Sequence, residues 1–141
     1  MAGAPVRLYT LAEANAKVPD LERRFEAIGG HVRKARGLGD QVADLEIVWG
    51  SKLLAPDCPA RAEYLRYRED LGAEERAVDD LLKGISGEGI EVKDVLTGLT
   101  DFYARHGEEI VFLCWKPGEP EVGWWHTLQA GFAGRQPIAK F

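Results

Sequence analysis

The chain is short of the residues that would mark several common protein classes. Two cysteines in 141 residues, Cys58 and Cys114, are too few for a disulfide framework, and both are expected reduced in a cytoplasmic setting. Basic residues are outnumbered, 18 Lys+Arg against 23 Asp+Glu, so the net charge is −5 and a constitutive nucleic-acid binder is unexpected. No apolar run approaches the ~18 residues of a membrane span, and residues 1–16 are too polar for a secretory leader. What is present is a globular composition: 45% apolar residues, which in a domain of this size can bury roughly 68% of the unfolded surface. Length and composition together predict a single domain over residues 1–141.

The first local signal is Thr10-Leu11-Ala12-Glu13, a capping box in which each side chain satisfies a backbone N–H at a helix start. Apolar residues then recur at Leu11, Ala14, Val18, Leu21, Phe25, Ile28, Val32 and Ala35, in steps of three and four. Pro19 predicts a kink or a restart, and the glycines from Gly29 to Gly39 predict a break near Gly37 with Asp40 capping a second segment. Pro59 is placed to open the next helix, whose seam reads Tyr64, Tyr67, Leu71, Glu74, Val78, Leu81 and Ile85. Glu74 needs a basic partner such as His31 or Arg33. Ser86-Gly87-Glu88-Gly89 ends that helix. Residues 10–86 therefore read as an antiparallel, heptad-patterned helical hairpin.

Beyond Gly89 the pattern shortens. Leu99–Arg105, Glu109–Trp115 and Pro120–His126 are rich in aromatic and β-branched residues and bounded by turn residues, which predicts a three-stranded antiparallel meander over 99–126. A Gly- and Arg-containing tail fills 127–141. The fold class is thus α+β, the hairpin packed on the meander. Four-residue turns at Arg105–Glu108 and Lys116–Glu119 set the register: Phe102 opposite Val111, Leu113 opposite Val122, Val111 opposite Trp124. One face is then almost wholly apolar and belongs to the helices. The other carries Tyr103, Phe112 and Trp125 beside Asp101, Cys114 and Glu121, a mixture suited to a binding groove or an interface.

Chemistry is confined to this second face and its surroundings. His126, Glu121 and Cys114 are metal-ligand types, with Glu121 and His126 the expected pair, although no closed zinc spacing is present. A haem held by Cys114 or His126 lacks any attachment motif. A nucleophilic Cys114 is disfavoured by the carboxylate expected beside it. Arg135 can lock Glu119 or Glu121, or bind an anionic ligand. The ligand-binding set is therefore Asp101, Cys114, Glu119, Glu121, Trp125, His126 and Arg135, with no catalytic residue assigned.

Several blocks carry a resemblance. Phe112-Leu113-Cys114-Trp115, Gly118-Glu119-Pro120-Glu121, Trp125-His126 and Gly131–Ile138, with the opening Tyr9–Asn15 and Val18-Pro19, resemble an uncharacterised bacterial family known as domain of unknown function 2203. The stretches 29–39 and 49–59 depart from the charged, uninterrupted helices of that family. The resemblance implies no activity, cofactor or partner. The residues themselves favour a cytoplasmic binding or assembly module forming a homodimer. A small metal- or ligand-binding protein built on the C-terminal cluster is the alternative.

Overall fold

A computed structural model describes residues 6–141, and the chain divides into two compact units. One, the sheet unit, combines Met1–Glu26 with Leu82–Phe141; the other, the helical unit, is Ala27–Leu81. Two helices, α1 (Leu11–Trp49) and α2 (Arg61–Gly87), contribute to both. Five strands follow: β1 (Ile90–Asp94), β2 (Leu99–His106), β3 (Glu109–Trp115), β4 (Trp124–Thr127) and β5 (Gln136–Pro137). They form one antiparallel sheet in chain order, so the expected meander has five strands rather than three.

The capping box forms as read: Thr10 N–H donates to Glu13 Oε1 at 2.9 Å, and Glu13 N–H to Thr10 Oγ1 at 3.1 Å. The break expected at Gly37 does not occur, and α1 runs through Pro19 and Gly37 as one 39-residue helix. The reason lies in the apolar seam, which continues past the glycines at Leu38, Val42, Leu45 and Trp49 in the same three-four rhythm. A glycine costs a helix interior roughly 1 kcal/mol, less than the burial of one aliphatic side chain returns. In the helical unit Val42, Leu45 and Trp49 pack with Cys58 against buried Leu53, Ala60 and Tyr64. His31 pairs with Glu74 in this unit, as the seam charge required, while Arg33, Lys34 and Arg36 are exposed.

In the sheet unit, Tyr9, Ala14, Val18, Leu21 and Phe25 are buried with Ile85 and with Phe102, Val111, Leu113 and Trp115 of the sheet. Phe25 meets Trp115 and Tyr9 meets Phe102, the ring centroids 6.4 and 5.1 Å apart. The inner sheet face is therefore the even positions of β2 and the odd positions of β3. Asn15 Oδ1 accepts the Val122 N–H at 2.7 Å, tying α1 to the loop before β4.

Both hairpin registers differ from expectation. His106 pairs with Glu109 across Gly107 and Glu108, and Gly107 has φ +63°. A glycine at the first central position of a two-residue loop matches the twist of antiparallel strands. The register moves by two residues, Phe102 facing Leu113, and both faces keep their membership. At the next connection the type II turn does form, with Gly118 at φ +101° and Glu119 N–H donating to the Lys116 carbonyl at 3.1 Å. That turn type splays strands instead of closing a hairpin, so the chain continues irregularly before β4 begins at Trp124. Leu113 consequently pairs with Trp125 and Phe112 with His126, an odd displacement that exchanges the faces of β4. Trp125 joins the inner face at 7% exposure, against His106 and Phe141, and His126 turns outward.

Candidate metal centre

The exchanged register brings three ligand-type side chains together on the outer face of the sheet. Asp101 of β2 lies opposite Cys114 of β3, and His126 of β4 reaches diagonally across both. All three are buried, with exposures of 2%, 0% and 2%. One carboxylate oxygen, the Cys114 Sγ and one ring nitrogen lie within 4.8 Å of one another. The three thus meet by cross-strand adjacency, which sequence spacing alone does not reveal.

Hydrogen bonding fixes the protons. His126 Nδ1 sits 2.8 Å from the Thr127 carbonyl, which can only accept, so Nδ1 carries a proton. Nε2 faces both Asp101 oxygens, at 3.1 and 3.2 Å. Burial pushes the Asp101 carboxyl above its ordinary value, opposed by the charge and hydrogen bond of His126. Burial also pushes the Cys114 thiol up to about 12, aided by the Asp101 charge and opposed by Arg135. The like charge acting on the thiol is Asp101, where the sequence pointed to Glu121. A nucleophilic triad is not assembled: both imidazole nitrogens are engaged elsewhere and neither is free to take a proton from sulfur.

The C-terminal segment supplies the cover. Arg135 lies beside β5 with its guanidinium 4.6 Å from the Trp124 ring centre and 4.3 Å from that of Phe132. Its Nη1 approaches Cys114 Sγ at 3.9 Å and Glu119 Oε2 at 3.5 Å. Glu119 is itself held in the turn, Oε1 accepting the Lys116 N–H at 2.9 Å and its carbonyl accepting from the Trp115 indole at 2.9 Å.

Of the residues singled out from sequence, Asp101, Cys114 and His126 are brought into one group, with Arg135 and Glu119 adjoining it. Glu121 is exposed and lies outside the group, so the expected Glu121–His126 pairing is replaced by Asp101–His126. Trp125 lies on the opposite face. Sequence reasoning passed over Trp124 and Phe132, which hold the guanidinium; a two-residue strand such as β5 leaves no periodicity to read.

Searches of curated proteins and of solved structures give no significant match. Residues 7–138, nearly the whole chain, match the family described as "Uncharacterized conserved protein (DUF2203)". The opening motif, the paired strands that carry Asp101, Cys114 and His126, and the segment bearing Arg135 all fall within that match, and the chain belongs to this family.

Proposed function

We propose that the protein binds a transition-metal ion, zinc being the best chemical fit, through Asp101, Cys114 and His126. The observation that carries this reading is the convergence of carboxylate, thiol and imidazole donors in one fully buried group. Such donors suit a borderline-soft divalent ion. The His126 Nδ1–Thr127 hydrogen bond is the outer-shell contact that presents the other ring nitrogen to a metal. A metal bound here would take the Cys114 sulfur as thiolate, with release of the thiol proton. A thiol ligand needs a reducing compartment, in keeping with a cytoplasmic location.

Metal analysis of untagged protein loaded with zinc and then dialysed tests the reading. About one ion per chain is expected, with loss in His126→Ala, Asp101→Asn and Cys114→Ser variants whose near-ultraviolet circular dichroism remains native. Absence of metal from the wild type, or its retention in all three variants, overturns it.

A second reading, self-association, rests on a different observation. Ile47, Val48 and Leu54 of the helical unit are 81%, 73% and 75% exposed, an apolar group at the end of α1. The homodimer expected from sequence would use this surface, because Trp125 is buried. Sedimentation velocity should show a micromolar dimer that Ile47→Lys dissociates; a monomer at every concentration removes this reading.

A further inference from the structure

Resting on the metal reading, we infer that Glu119 is the fourth ligand and that Arg135 is a built-in cation holding the metal's place and competing with it. Asp101, Cys114 and His126 supply three donors, one short of the four that tetrahedral sites take. All three project from one face of the sheet; Glu91, opposite Asp101 on that face, is engaged by Lys93 and the Tyr103 hydroxyl, which leaves the segments lying over the face to supply a fourth. The side chains that meet Cys114 there are Arg135 directly and, through it, Glu119. Among the described residues Glu119 is the carboxylate in contact with this cover, while Glu121 is exposed.

The geometry of Glu119 fits a ligand waiting for its ion. Its backbone is anchored at both groups, N–H to the Lys116 carbonyl and C=O to the Trp115 indole. One carboxylate oxygen is engaged by the Lys116 N–H at 2.9 Å. The other makes the longer 3.5 Å contact to Arg135, an interaction readily exchanged. Arg135 Nη1 thus bridges the Cys114 sulfur and the Glu119 carboxylate. Its side chain is 16% exposed and its guanidinium rests against Trp124 and Phe132. On metal binding the guanidinium leaves Cys114 and Glu119 Oε2 takes the vacated side.

The inference predicts opposite signs for two neighbouring residues, which a purely structural role for either would not. Cobalt(II) is the probe, because its visible bands report thiolate ligation and coordination number. In chelator competition, Arg135→Gln should bind cobalt about tenfold more tightly than wild type and Arg135→Lys, which keeps the charge, much less so. Glu119→Gln should bind about tenfold or more weakly, with altered band intensity. Unchanged or weaker binding in Arg135→Gln, or a wild-type affinity and spectrum in Glu119→Gln, overturns the inference. Native near-ultraviolet circular dichroism is the condition for comparing each variant. Failure of wild-type protein to give a thiolate–cobalt band that Cys114→Ser abolishes is a different result, which removes the metal reading itself.

Discussion

The sheet unit and the helical unit solve the problem of polar side chains in opposite ways. In the helical unit the charges sit at the surface, Arg33, Lys34 and Arg36 exposed, and the His31–Glu74 pair is only partly covered. Its buried cluster is small, Leu53, Ala60 and Tyr64 with half-buried neighbours. In the sheet unit the inner face is apolar, and the outer face buries a carboxylic acid, an imidazole and a thiol together. Burying such groups is costly unless each finds partners, and here each does. The lesson is that a seam of helices is repeated surface, whereas a cross-strand group of three titratable side chains is specific chemistry.

The largest contrast lies between the two cysteines. Burial pushes the Cys114 thiol up to about 12 and covers it, so Cys114 should resist iodoacetamide in the native protein while half-buried Cys58 reacts. Peptide mapping of the two sites reads this, and equal labelling would mean the outer face is open. Next in size is core truncation: Leu113→Ala, at 0% exposure, should cost about 2–5 kcal/mol in chemical denaturation, and Leu45→Ala in the helical unit clearly less. Equal losses would erase the distinction between the units.

A pH effect sharpens it further. The Lys17 hydrogen bond, with Arg24 beside it, holds the Glu88 carboxyl below its ordinary value. A lowered folded value means the stabilisation is complete above the unfolded pKa and disappears as pH falls through the folded one. Glu88→Gln should therefore be less stable than wild type at neutral pH, the gap closing in acid; a gap independent of pH would assign the effect to packing. The smallest expected change is a gain: Gly37→Ala, where an added Cβ meets nothing within 4 Å, should stabilise the helical unit by about 1 kcal/mol.

Legibility differed between the same regions. The helix start, the seam and the His31–Glu74 pairing follow from local spacing and were readable. The continuity of α1 was readable too, from Leu38, Val42, Leu45 and Trp49, but glycine count outweighed it. Strand β1 alternates Ile90, Glu91, Val92, Lys93 and ends at Asp94, whose Oδ1 accepts the Leu96 N–H at 2.9 Å; the signal was present but short. The two residues of β5 left none. For the site, the residue types were legible and their grouping was not. Parity of the connection before β4 depends on whether a type II turn closes a hairpin, and one residue of register exchanges Trp125 with its neighbour His126.

That parity leaves a mark at Trp125. Its indole N–H is buried without an acceptor, and it is the side-chain donor among the described residues left in that state. An unmet donor of this kind adds nothing to cohesion, so the position is filled for ring area alone. Replacing Trp125 by phenylalanine would therefore remove ring area without removing a hydrogen bond.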